Sequence, residues 1–486
     1  VWLPNWIEVV VWEFALAARG AAMLGVNTRY GVHELTHLLD RGRLAGMVVP
    51  ARFLDLDFAG RLRAALAASE SRLPWVAVVR SAGTENLREF VLGGEIWTPS
   101  TMCDAATCAD EIHTDGESSD PVNYFTTSGS TGLPKLAGHD QSSVAAHSVN
   151  VAGALDMDAN DCFLAVLPLS GVFGFNPTMA MLSAGGSCLL EPVFDPELVL
   201  RDAEAVGVTH VVGGDDMLGR LMDAWHQTDT DRRPRLRRLR RGGIADFAGR
   251  VDAVIAWAAT DLRASLSGVY GSSELFALTS IWPANLEQIE RRRSGGTLVS
   301  ADISVRAVDP SSGSLRPPGS IGELQFQGYN APSRYLGDPG ALGTAFTEDR
   351  WFRSGDLGFV LQQPRSFVYT CRAGDALRLR GFLVDPAEIE QFLCSHPDVA
   401  AAKVVGVRSA GGADVAVAYV QLTPEAAATS DDLIGFCRER LAAFKTPAFV
   451  NVIDQFPVTA GTNGTKIRTA ELRRWAEKQI ARSGQQ

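Results

Sequence analysis

Short apolar stretches and helical runs alternate between Ser142 and Gln227, and this alternation constrains the fold more than any other feature of the chain. Cys162 to Leu167, Ser187 to Leu190 and His210 to Val212 read as short apolar strands. Ser142 to Gly153, Pro196 to Ala205 and Met217 to Gln227 place apolar residues at helical spacing between and around them. The same alternation begins earlier, with a helical run from Phe58 to Ala68 and a strand from Trp75 to Val79. Helix and strand in turn signal an α/β layered domain. Nearer the start, Trp6 to Ala22 has helical spacing and Leu24 to Val26 reads as a short strand.

A chain of 486 residues exceeds what one core usually supports, so two or more domains are expected. Its 46% apolar content is ample for large cores. A net charge of −11 argues against a nucleic-acid or anionic-membrane binder, since either needs an extended basic face. No apolar run reaches transmembrane length and no signal peptide is legible, so a cytoplasmic protein is expected. Seven cysteines without paired short spacings make neither a disulfide framework nor a zinc ribbon.

The densest chemical signal is Tyr124 to Lys135, YFTTSGSTGLPK, in which seven of twelve residues are Thr, Ser or Gly. Tyr124 and Phe125 suggest a strand that delivers the loop to a surface. Glycines let backbone N–H groups approach an anion, hydroxyls add donors with little bulk, and Lys135 adds a point charge, which together suit a polyphosphate. It is not a Walker loop, because Lys135 follows Pro134 and precedes Leu136 where that loop needs Gly-Lys-Ser/Thr and a helix. A Ser/Gly-rich surface turn is the plain alternative.

Two other patterns invite function and read more simply as structure. His33-Glu34-Leu35-Thr36-His37 is a formal H-E-x-x-H, yet Asp40 and Arg43 stand where the extended metalloprotease pattern wants Gly and His. An ordinary helix start with Leu35, Leu38 and Leu39 facing the core is expected instead. Arg232 to Arg241, RRPRLRRLRR, is the one basic cluster; it reads as a solvated edge, with an anion site as the functional alternative.

Further on come Gly242-Gly243-Ile244, Tyr270-Gly271-Ser272-Ser273-Glu274, Trp351-Phe352-Arg353-Ser354-Gly355-Asp356, Arg372-Ala373-Gly374-Asp375 with Arg380-Gly381-Phe382, and Asn463-Gly464-Thr465-Lys466. Singly, each is a common turn, helix cap or solvated lysine. In this order and spacing, with the loop at 124–135, they resemble the AMP-forming adenylating enzymes: acyl-CoA synthetases, nonribosomal-peptide adenylation domains and firefly luciferase. The resemblance covers nearly the whole chain. That family has a further opening segment before the apolar run at Val1, so an incomplete N-terminal subdomain is expected.

The resemblance implies a large layered α/β adenylating domain over residues 1–374 and a smaller, mobile α+β lid over 375–486. It implies a two-step reaction with ATP, Mg²⁺ and CoA: a carboxylate attacks the α-phosphorus to give acyl-adenylate and pyrophosphate, and a thiol then displaces AMP. Thr127, Ser128, Gly129, Ser130, Thr131, Gly132 and Lys135 would hold the leaving phosphates, with Thr131 among the catalytic residues. Gly242, Gly243 and Ile244 would lie along adenine, Tyr270 would stack on it beside Gly271, and Ser273 would donate to the α-phosphate. Glu274 would be the Mg²⁺ ligand, Asp356 would accept the ribose hydroxyls, and Arg372 would reach ribose or phosphate. Lys466 would bridge carboxylate and α-phosphate, and Gly381 would leave room for the pantetheine arm after rotation about Gly374, where the family usually has Asp or Lys.

The acid is less legible. Leu167 to Phe175 corresponds to the stretch beside the acyl site, and Gly171, Phe173 and Phe175 suggest a roomy apolar pocket for a fatty or other apolar acid. Asp215 and Asp216 are expected to cap a helix starting at Met217, and His210 is expected to be buried. Loading of an acyl carrier protein, a non-catalytic nucleotide-binding remnant and a homodimer stay open.

Overall fold

The computed structural model describes residues 1–80, 95–97, 115–127, 135–375, 377–379, 382–384, 386–408, 414–424, 426–441, 445–461 and 464–483. The alternation read between residues 142 and 227 builds the parallel half of an eleven-stranded sheet. Its neighbours run Ser187–Leu190, Cys162–Ala165, His210–Gly214, Arg241–Ala245 and Ser265–Tyr270. His210 lies opposite Arg241, and Gly242 opposite Leu266. The helix Val172–Ser183 joins Cys162–Ala165 to the edge strand, and Pro196–Val206 returns past it to His210–Gly214. Right-handed crossovers in opposite directions place these helices on opposite faces of the sheet. The helices Asp215–Gln227 and Val251–Thr260 follow in the layer of Pro196–Val206.

Beyond Ser265–Tyr270 the sheet turns antiparallel, through Ser280–Ile281, Gly295–Leu298, Ser366–Arg372 and Phe352–Val360. Tyr270 thus sits at the carboxyl end of the last parallel strand, where the sheet changes character; crevices at such places are the usual ligand sites of open α/β sheets. A separate hairpin carries the loop at 127–135. Pro121–Thr126 pairs antiparallel with Leu136–Asp140, Thr126 opposite Leu136, and the Thr127 amide donates to the Lys135 carbonyl at 2.9 Å.

The C-terminal part has its own sheet with a core on each face. Leu377, Ile389, Leu393, Val404 and Leu433 form one, and Val405, Val417 and Tyr419 meet Leu472 and Ala476 of the helix Thr469–Ser483 in the other. The chain is therefore a large α/β domain followed by a small one.

Several expectations shift by physical detail. The first helix spans Ile7–Ala18 and stops before Gly20, whose φ is +65°, and the strand after it is Met23–Leu24. Leu35, Leu38 and Leu39 face the core, while Glu34 is used locally, accepting the amide of Gly31 at the start of the helix Val32–Gly42. The helix expected from Met217 begins at Asp215, and Asp215 does not cap it. Fully buried, it accepts the backbone amides of Phe247, Ala248 and Arg250 and so fixes the turn after Arg241–Ala245. The arginine run is not a uniform solvated edge. Arg240 pairs with Asp161 at 2.7 Å, and the buried Arg241 donates to Ser267 and to the carbonyl of Trp282. His210 is buried, bonded to the Leu155 carbonyl.

Candidate active site

Three side chains converge at the carboxyl end of Ser265–Tyr270. The Tyr270 hydroxyl donates to Asp356 Oδ2 at 2.6 Å, and Arg372 Nη1 approaches Asp356 Oδ1 at 3.1 Å. Asp356 and Arg372 are paired across adjacent antiparallel strands, which fixes the contact by register. Asp356 is 5% exposed; burial raises its pKa and Arg372 holds it back down. Burial and the neighbouring carboxylate push the Tyr270 hydroxyl well up, keeping it a neutral donor. The Tyr270 ring stacks on Phe326 at 5.3 Å and meets the edge of Phe367 at 5.2 Å. It is thus a pre-set wall, held before any base arrives. Each Asp356 oxygen retains acceptor capacity beyond its present partner, as a ribose diol requires.

Gly242 and Gly243 lie on the next strand, and crowding explains them. A β-carbon on Gly242 would stand 2.3 Å from the Val211 carbonyl oxygen, and one on Gly243 2.8 Å from Val269. Beside them, Ile244 is buried.

The Ser272 to Glu274 turn is fastened to the hairpin that carries the loop at 127–135. Ser273 Oγ donates to the Thr126 carbonyl at 3.1 Å, one residue before the buried Thr127. Lys135, at the other end of the loop, lies 5.3 Å from the Tyr335 ring centre, and Glu274 is near enough to raise the pKa of Tyr335, though burial does more. No group of three or more acidic, His or Cys donors occurs among the described residues. A single carboxylate, Glu274, suits Mg²⁺, which keeps waters and takes substrate phosphates as its other ligands.

Glycine-rich turns do not reveal what supports this motif. Phe276, Ala277 and Leu278 all have left-handed backbone, with φ of 57°, 53° and 33°. Each such residue costs roughly 1–2 kcal/mol for lack of a glycine. His139 Nε2 lies 2.8 Å from the Ser273 carbonyl, and His147 Nε2 3.0 Å from that of Ala277. Both histidines are buried, and burial lowers the pKa of each to about 4. Neither was singled out from the sequence. The available signal was position: His139 follows Lys135 by four residues, within an otherwise small and apolar stretch.

Ser128, Gly129, Ser130, Thr131, Gly132 and Gly381 lie outside the described residues, as does the Lys466 side chain. The strand carrying Lys466, Gly464–Ile467, pairs with Val458–Gly461 and rests against the helix Asp215–Gln227. At Gly374 an added β-carbon would meet nothing within 4 Å, and its carbonyl accepts from Arg473, which also pairs with Asp375 at 3.1 Å.

The pocket expected around Phe173 and Phe175 is filled on one side. Phe175 packs on Phe125 at 5.4 Å and on Phe276 at 6.3 Å, so its ring belongs to the core. A cavity of about 30 Å³ lies on the sheet's other face, lined by Val211, Leu218, Leu221 and Leu266 among others.

The AMP-binding enzyme family matches residues 1–336, and the AMP-binding enzyme C-terminal domain matches residues 388–463. The chain belongs to the AMP-binding enzyme family. As an adenylate-forming ligase it activates a carboxylic acid with ATP and passes the acyl group to CoA. The putative acyl-CoA synthetase YngI of Bacillus subtilis is 26% identical over 484 residues, covering 97% of this chain and 86% of the relative. The mitochondrial medium-chain acyl-CoA ligase ACSF2 of Danio rerio is 25% identical, covering 99% and 80%. The fold matches ATP-bound MatB from Rhodopseudomonas palustris with a TM-score of 0.78 at 22% identity, over 99% of this chain and 88% of that one. The anthranilate CoA ligase AuaEII, in complex with anthranoyl-AMP, gives 0.80 at 20%, over 99% and 87%. No helix among the described residues is long and apolar enough to cross a membrane.

Proposed function

We propose that this ligase acts on a fatty or other apolar carboxylic acid, with residues 1–374 supplying the adenylating site and residues from Asp375 onward acting as the lid. The reading is carried by one arrangement: Tyr270, Asp356 and Arg372 converge beside a Ser273 that is bonded to the start of the phosphate loop. Tyr270 and the Gly242–Gly243 strand receive adenine, Asp356 the ribose hydroxyls, and Arg372 ribose or phosphate. Thr127 to Lys135 hold the β- and γ-phosphates that leave, with Thr131 stabilising the departing charge. Mg²⁺, held by Glu274, neutralises phosphate charge when bound. Lys466 offsets the charge that accumulates between the attacking carboxylate and the α-phosphate. Gly381 then leaves space for the pantetheine arm once the lid has turned about Gly374.

An apolar acid fits the side chains near the reacting end. Phe173 is buried on one side, Met217 and Leu218 lie buried against Gly213, and the relatives include an enzyme named for medium-chain acyl groups. We place the protein in the cytoplasm, in keeping with its acidic charge and with Cys162, Cys188, Cys394 and Cys437 standing outside any disulfide.

The test is an acid panel with MgATP. Apolar acids should support ATP–pyrophosphate exchange without any thiol, and CoA should then release AMP and acyl-CoA in equal amounts. Exchange with AMP release only on addition of an acyl carrier protein would overturn CoA as acceptor. ATP binding without exchange for any acid would leave a nucleotide-binding remnant.

A further inference from the structure

We propose that His139 and His147 are positioning residues for the adenylation step: two buried imidazoles that hold the Ser272–Leu278 turn so that Ser273 and Glu274 face the phosphate loop. The proposal rests on the roles given to Ser273 and Glu274 above.

The turn cannot hold itself. Three successive non-glycine residues are left-handed, and its internal ties are few: the Ala277 amide donates to the Ser272 carbonyl, and the Leu275 amide to Ser272 Oγ. The remaining bonds reach it from outside. Asn330 Nδ2 donates to the Leu275 carbonyl at 2.9 Å, His139 holds the Ser273 carbonyl, and His147 holds that of Ala277.

The tautomers follow from the acceptors. A carbonyl can only accept, so both histidines carry their proton on Nε2. His147 Nδ1 then accepts from the Tyr329 hydroxyl at 3.0 Å, and that oxygen accepts from Asn150. The chain Asn150 to Tyr329 to His147 to Ala277 fixes every donor in one sense. His139 Nδ1 is buried without a hydrogen-bond partner among the described residues, so the residue pays a desolvation penalty while making one bond, the one to Ser273. Phe276 is wedged between the two rings, 4.8 Å from His139 and 5.5 Å from His147, and also packs on Phe125 of the strand entering the loop.

This placement couples the turn to both ends of the phosphate loop. His139 stands on the strand leaving the loop, and Ser273 Oγ bonds Thr126 on the strand entering it. Ser273 is thus held by its carbonyl from one side and by its hydroxyl from the other. The one hydroxyl proton of Ser273 is given to Thr126 in this arrangement, so displacing the turn by an ångström would shift that hydroxyl and the proposed magnesium ligand Glu274 together, without touching the acid.

The experiment uses His139→Gln, whose amide nitrogen can occupy the place of Nε2, against His139→Asn and His139→Leu, which cannot reach Ser273; His147 takes the same three substitutions. Acid-dependent ATP–pyrophosphate exchange should fall by about 10- to 100-fold in kcat for Asn and Leu. The KM for the acid and thioester formation from supplied acyl-adenylate and CoA should stay near wild type, and Gln should recover most of the exchange rate. His139→Asn keeps a polar group, so the comparison with Gln holds even where Leu does not fold. Equal rates for Asn and Gln, or equal losses in both half-reactions, would overturn the role while leaving the functional reading in place. A wild type with no acid-dependent exchange would overturn that reading first, and this role with it.

Discussion

At the residue scale, the proposed positioning role of His139 and His147 rests on two buried imidazoles bonded to the carbonyls of Ser273 and Ala277. Each is neutral because burial lowers its pKa from 6.5 to about 4. The folded state therefore binds fewer protons than the unfolded one between those values. Their contribution to stability is complete above pH 6.5 and is lost as pH falls toward 4, by roughly 3 kcal/mol per histidine at the limit. Glu13 and Asp246 run the other way, since burial raises their pKa values to about 7 and about 6, so the whole protein hides the effect. The difference between wild type and His139→Gln isolates it. Urea denaturation should show the wild type losing about 2 kcal/mol relative to the variant between pH 7.5 and pH 5. A gap that does not change with pH would contradict a neutral buried His139.

Elements were legible where their signal was local. The boundaries of Phe58–Ala68 and Trp75–Val79 follow from apolar periodicity, because those segments are stabilised by the face they bury, and those of the edge strand Ser187–Leu190 follow from its short apolar run. Asp215 and Arg241 were misread because their partners, Phe247 to Arg250 and Ser267 with Trp282, are distant in sequence and set by the sheet. The site divides similarly. Motif order pointed to Tyr270 and Asp356 lying together, and they are hydrogen-bonded, but His139 and His147, which hold the carbonyls of Ser273 and Ala277, come from a neighbouring hairpin and helix with no motif of their own. Gly271 tests the turn as an element. A β-carbon there would stand 2.6 Å from the backbone of Ala277 and Leu278, where nothing flexible can yield. Gly271→Ala should therefore cost about 1–3 kcal/mol in thermal or urea unfolding and depress exchange further than stability alone explains. Wild-type stability and activity would mean that the left-handed turn is not tightly packed.

At the scale of the whole molecule, the two domains have separate cores, and at Gly374, the proposed joint, an added β-carbon would meet nothing within 4 Å. The contact that ties this point to the lid is the Arg473 bond to the Gly374 carbonyl and its ion pair with Asp375, a half-exposed interaction worth little against a large rotation. Such a joint suits one cleft that serves two chemistries in turn, and the proposed reading needs Lys466 only for the first. The direct measurement compares the two half-reactions in Lys466→Ala. Acid-dependent ATP–pyrophosphate exchange should fall to background, while conversion of supplied acyl-adenylate and CoA to thioester and AMP continues near the wild-type rate. Equal impairment of both half-reactions would contradict the division of labour between the two faces of the lid.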